Sequence, residues 1–167
     1  MVNAMDESNL PEELKKTGVY IFKCMECGVC SGSCPSGRHM NFNIRKIVKR
    51  ASSNETEVLN NKNLWMCTTC YTCQERCPRG IKIVDGIYKI RTIAVRKGIM
   101  LPEHRKVSQM LLDTGHAVAI NNETKQKREQ LGLESLPETV HKHPDALNDV
   151  KKLLKSCKFD ELVSEKE

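Results

Sequence analysis

Cysteine is the residue through which this chain can do chemistry: it has nine, and eight of them fall into two runs of one form. The first run, C-M-E-C-G-V-C-S-G-S-C-P, occupies residues 24–35, and the second, C-T-T-C-Y-T-C-Q-E-R-C-P, occupies residues 67–78. Both read C-x2-C-x2-C-x3-C-P, and the second repeats the first after 43 residues. Thiolates at this spacing are the ligand pattern of bacterial-type [4Fe–4S] clusters. Three cysteines at intervals of three wrap a short loop around a cubane, each sulfur reaching a different iron. The proline after the fourth lacks an N–H and biases its predecessor towards an extended backbone, which turns that cysteine away from the other three. In two-cluster ferredoxins the fourth cysteine ligates the other cluster. The expected cofactor is therefore two [4Fe–4S] clusters, one held by Cys24, Cys27, Cys30 and Cys77, the other by Cys67, Cys70, Cys73 and Cys34. Structural zinc is the competing reading of paired C-x2-C units, yet zinc rarely takes three cysteines at successive intervals of three followed by C-P.

No other residue set competes with these. Cys157 has no cysteine neighbour, and its place on an apolar helical stripe predicts a small buried hydrophobe. His39, His104, His116, His141 and His143 form no metal-spaced set. Trp65 and Tyr71 flank the second run, where they suit an aromatic shield or simple packing. The sequence has no G-x-G-x-x-G, G-x-x-x-x-G-K or G-x-S-x-G, so no catalytic residue is assigned.

Composition agrees with a cofactor-stabilised fold. In 167 residues only 4% are aromatic and 39% hydrophobic, a thin supply for the core of an ordinary enzyme. Metal–thiolate bonds offset this, because metal-binding energy becomes folding energy. The formal net charge of +6 is concentrated: residues 21–106 hold 16 basic and 6 acidic side chains. A basic middle suits nucleic acid or an anionic cofactor. A cubane with four thiolates carries about −2 when oxidised, so the cysteines favour compensation of the cofactor. Lys23, Arg38, Arg76, Arg79 and Lys82 lie near the motifs and would favour a reduced cluster, unless they form a solvated face.

The elements that must position the cysteines read as helices. Asn9 and Pro11 open one that ends at Gly18, and residues 43–51 place Ile44, Ile47 and Val48 on one face. Residues 52–63 read as a polar loop with at most one short turn. Ile83, Ile87, Ile90 and Ala94 mark a helix closing at Gly98, and another runs from Pro102 to Gly115. A charged helix ends near Gly132, and a last one carries Leu147, Val150, Leu154 and Cys157. No segment alternates with period two. The expected class is all-α, a helical two-motif domain with a helical C-terminal extension. Its parts are an N-terminal helix or arm over residues 1–20, the two-cluster domain over 21–115, and a partner-contacting extension over 116–167. The apolar stripes exceed what a cluster-filled core needs and are expected to be covered by partner subunits.

Two motifs separated by 32 residues with a helix between them resemble the α-helical ferredoxin domain of succinate dehydrogenase iron–sulfur subunits, glycolate oxidase and heterodisulfide reductase. At this length the chain looks like the C subunits of soluble heterodisulfide reductases from methanogenic archaea, a resemblance that covers residues 10–115 with specific motifs. That resemblance implies electron transfer in methanogenesis, from a flavin-containing A subunit to a B subunit that reduces the coenzyme M–coenzyme B heterodisulfide. It also implies a larger assembly with a hydrogenase or formate dehydrogenase. The B subunit's catalytic clusters use C-C-G motifs; no Cys-Cys pair occurs here, so this chain is expected to relay electrons and to have no activity alone. An iron–sulfur relay in a glycolate-oxidase-like or sulfite-reductase-like complex is the second reading, and a metal-stabilised nucleic-acid-binding module the third. Neither a secretory signal nor an apolar run of bilayer length is evident, so the expected location is the cytoplasm, with no membrane span and no nucleic acid.

Overall fold

The computed structural model describes residues 9–139 and 142–164, and every regular element among them is helical. His141 lies outside the described residues. The chain divides into two compact units after Ile99.

In the first unit, α1 (Leu10–Lys16) starts where Asn9 accepts the Glu12 N–H, with Pro11 in its first turn, and Gly18 takes the left-handed conformation just beyond its end. Leu10 and Leu14 are fully buried. The Asn54 side chain accepts the Leu10 N–H at 2.8 Å, so the loop after the next long helix satisfies another donor of α1. That helix, α3 (Ile44–Ser52), is capped by Asn43 and buries Ile44, Ile47, Val48 and Ala51. The longest element, α5 (Ile83–Arg96), buries Ile83, Val84, Ile87, Ile90, Ile93 and Ala94. Gly86 lets α5 approach the segment before the first motif: a Cβ there would stand 3.1 Å from Val19 Cγ1.

The segment 52–63 departs from the sequence expectation. It contains one 3₁₀ turn at Thr56–Asn60 and the start of another at Lys62–Met66, burying Val58, Leu59 and Leu64. A 3₁₀ turn has three residues per turn, so its inward positions do not register in a 3.6-residue pattern.

Two short helices, α2 (Val29–Gly32) and α4 (Thr72–Glu75), occupy equivalent places in the two cysteine runs and pack on each other. Position 31 of the first repeat and position 74 of the second do the same work. The Ser31 hydroxyl accepts the Arg45 N–H of α3 at 3.0 Å, and the Gln74 amide oxygen accepts the Val84 N–H of α5 at 3.1 Å. Each motif thereby holds the N-terminus of the helix that follows it. Lys82 gives α5 no side-chain cap, so Gln74→Ala leaves a part-buried donor open and should cost about 1 kcal/mol, read as a lower Tm of the cluster-loaded chain.

In the second unit lie α6 (Pro102–Thr114), α7 (Asn122–Gln130), α8 (Pro144–Ser156) and α9 (Phe159–Val163), with α8 and α9 packed together and α6 against both. The second unit begins at Met100, so α6 lies in it. Arg105 of α6 donates to the carbonyls of Val163 and Ser164. The stripe of α8 is half-buried at Leu147, Val150 and Leu154, while Leu153 is 67% exposed. Cys157 is exposed, against the expectation of a buried hydrophobe. Because α8 ends at Ser156, Cys157 is its cap rather than the next residue of its stripe, and its Sγ donates to the Leu153 carbonyl at 3.2 Å. No helix among the described residues is long and apolar enough to cross a membrane.

Candidate metal centre

The two cysteine runs fold alike, residue for residue. In each, the first cysteine is half-buried, the second exposed, the third buried and the fourth half-buried. The backbone repeats as well. Glu26 and Thr69, one before the second cysteine, both have φ 57°, and Gly28 and Tyr71, one after it, have φ 82° and 62°. Left-handed backbone at Glu26, Thr69 and Tyr71 costs about 1–2 kcal/mol each, and for a β-branched threonine it is exceptional. Such strain persists where the surroundings over-determine it, as in a loop forced around a bound group. One consequence is visible in the first run, where the Glu26 N–H points at Cys24 Sγ, 3.4 Å away.

The first run borders a small cavity that is partly open to solvent. Its walls include Cys24, Cys27 and Cys30, together with Cys77 from the second run. Val48 and Ile83 form apolar parts of the wall; Arg45 and Arg79 bring positive charge. Arg79 also donates to the Lys23 carbonyl, and the Lys23 ammonium sits 4.8 Å from the Tyr20 ring centroid. Arg38, Arg76 and Lys82, named with them from the sequence, are exposed.

Around the second run the sulfurs are linked electrostatically. Burial pushes the Cys73 thiol up to about 12, and the neighbouring Cys67, Cys30, Cys34 and Cys70 push it the same way. Two of those four belong to the first run. Burial also raises the Cys30 thiol, opposed by hydrogen bonds from Ser31, whereas hydrogen bonds from the Thr72 hydroxyl and N–H hold Cys70 below the ordinary thiol range. Several thiolates gathered in a half-dry site repel one another unless a cation lies among them, and bound iron inverts that balance. Buried thiols from both runs, amide and hydroxyl donors aimed at sulfur, and a walled cavity are the donor chemistry of an iron–sulfur centre. Among the described residues no three His, Cys, Asp or Glu gather at a single-ion site.

Trp65 and Tyr71 part company. Tyr71 is exposed, while Trp65 is half-buried against the core beneath the Arg91 guanidinium, 5.5 Å from its ring centroid. Arg91 is a residue that motif spacing does not single out. It donates to the Leu64 carbonyl from Nε at 3.0 Å and from Nη2 at 2.8 Å, and to the Cys67 carbonyl from Nη2 at 2.9 Å. Burial works against its charge and the Cys67 thiolate works for it. Sequence distance hides Arg91, since 24 residues separate it from the cysteine it touches.

Comparison with known proteins agrees with the site. Residues 20–81 match the family described as the 4Fe-4S dicluster domain. The chain is 60% identical, over 92% of its own length and 95% of the relative's, to the C subunit of the ferredoxin/F420H2-dependent CoB-CoM heterodisulfide reductase of Methanosarcina acetivorans. It is 58% identical, over the same shares, to the C subunit of the ferredoxin:CoB-CoM heterodisulfide reductase of Methanosarcina mazei. Against the C subunit of the H2:CoB-CoM heterodisulfide,ferredoxin reductase of Methanothermobacter marburgensis it is 45% identical, over 94% of the chain and 86% of the relative. Similarity of this extent, on an all-helical fold with both motifs intact, shows that the chain belongs to the family of CoB–CoM heterodisulfide reductase C subunits, as an iron–sulfur protein of two [4Fe–4S] clusters and a subunit of an oxidoreductase.

Proposed function

We propose that this chain relays electrons between a flavin-containing A subunit and a B subunit that reduces the coenzyme M–coenzyme B heterodisulfide, in the cytoplasm of a methanogen. The observation that carries the reading is that Cys77 of the second run lies in the wall beside Cys24, Cys27 and Cys30 of the first. On this reading Cys24, Cys27, Cys30 and Cys77 hold one cluster, and Cys67, Cys70, Cys73 and Cys34 the other. The clusters supply one-electron oxidation and reduction. The residues around them hold the sulfurs in place: the Glu26 N–H donates to Cys24 Sγ, and the strained loops fix the first three cysteines of each run.

The domain plan follows the same reading, with residues 1–20 as an arm, 21–115 as the electron-carrying part and 116–167 as a partner-contacting extension. Leu131 and Leu133 are exposed in that extension, as an assembly surface requires. The names of relatives, which include ferredoxin, F420H2, H2 and formate, support a place in a larger assembly with a hydrogenase or formate dehydrogenase. Stopped-flow absorbance tests the relay one half at a time. The reduced A subunit should bleach the iron–sulfur absorbance of this chain, and the B subunit with heterodisulfide should restore it. A chain that A reduces but B with heterodisulfide cannot re-oxidise would overturn the assignment.

A further inference from the structure

One charged residue beside the second run is fixed in place by the backbone it binds. Each cysteine run is followed by a helix that it holds at its start, α3 through Ser31 and α5 through Gln74. Val48 contributes an apolar wall to the first cavity. Arg91 instead reaches from α5 to the backbone that leads into the second run, where its guanidinium bridges the Leu64 and Cys67 carbonyls and lies over Trp65. Its neighbours Ile87, Ile90 and Ala94 are buried on the same helix, so the stem of Arg91 starts from a fixed face. The charge is met by carbonyl oxygens and an indole face. By contrast, Arg45 beside the first cavity stands 3.9 Å from the Glu26 carboxylate, which also pairs with Lys49. A half-buried cation is screened by solvent and salt far less than the exposed lysines and arginines around it.

We infer that Arg91 is a positioning residue for the second cluster, clamping the backbone that enters Cys67 and holding there a positive charge that makes that cluster more easily reduced. Reduction adds one electron and one unit of negative charge to a centre that is already anionic. A nearby fixed cation therefore stabilises the reduced state more than the oxidised one. The clamp and the charge are separable. Lysine keeps the charge without the planar fork that spans two carbonyls, and methionine keeps much of the volume without the charge. The inference rests on the proposed assignment of Cys67 to the second cluster.

An EPR-monitored redox titration of the full chain, loaded anaerobically with iron and sulfide, tests it. Cys67→Ser first identifies the signal of the second cluster; if both signals survive that change intact, the ligand assignment falls and takes this inference with it. In Arg91→Met the reduction equilibrium constant of the second cluster should fall on the order of tenfold, about 59 mV for one electron, with the first cluster unmoved. Arg91→Lys should restore most of the loss. No shift in Arg91→Met, an equal shift of both clusters, or a shift in Arg91→Lys as large as in Arg91→Met would overturn the charge role. Should Arg91→Met fail to retain the second cluster, Arg91→Lys decides. A loaded cluster at the wild-type potential supports the inference, and a shifted potential or failure to load shows that the clamp is structural alone.

Discussion

Replacing Cys77 with serine should damage the cluster of Cys24, Cys27 and Cys30 and spare the one beside which Cys77 stands in sequence. Only three residues separate Cys77 from Cys73, yet it lines the cavity of the first run. Proline at 78 and the end of α4 at Glu75 turn the chain so that its thiol faces the other motif. Cys34→Ser should do the reverse, since Cys34 holds in the first run the place that Cys77 holds in the second. Iron content should fall from about eight per chain towards about four to seven, as one cubane is lost or converted to a three-iron form. The EPR spectrum of Cys77→Ser should then match that of Cys24→Ser, and the spectrum of Cys34→Ser that of Cys67→Ser. The opposite grouping would show that each run ligates its own cluster. Cys157→Ser serves as the control: exposed at the end of α8, it should leave iron and sulfide unchanged.

Omitting this chain from a reconstituted system should abolish electron flow from A to B. An electron relay requires two redox centres close together and access to a donor and an acceptor, but no substrate pocket. Both runs lie in the first unit, with α2 packed on α4 and thiols of both runs acting on Cys73. Hydrogen- or ferredoxin-linked heterodisulfide reduction should be absent with A and B alone, return when the loaded chain is added, and stay absent with the chain alone. Artificial dyes can feed B directly, so the donor must be physiological. Equal turnover of A and B in its absence would remove the relay from the mechanism.

The cysteine pattern is legible in the sequence because cluster ligation is a local demand. Intervals of three and a following proline are written in consecutive residues, and one repeat of 43 carries them twice. The helices are legible where capping and periodicity are also local: Asn9 caps α1 as its sequence implies, and Ile83, Ile87, Ile90 and Ala94 lie buried along α5. Periodicity misleads at Cys157, which lies one residue past the end of its helix, where the backbone stops obeying a 3.6-residue period. Val58, Leu59 and Leu64 are hidden among polar neighbours, since 3₁₀ turns bury isolated apolar residues without a helical signature.

Cofactor chemistry, the all-helical class and the family resemblance can each be read along the chain, because each rests on residues that are neighbours in it. Which distant residues meet is a matter of packing: Cys77 joins the first run, Gln74 the start of α5, and Arg91 the Cys67 carbonyl. Those meetings depend on how α3 and α5 pack around a shared apolar core, and side-chain packing across 24 or more residues leaves no periodic trace in the order of the amino acids.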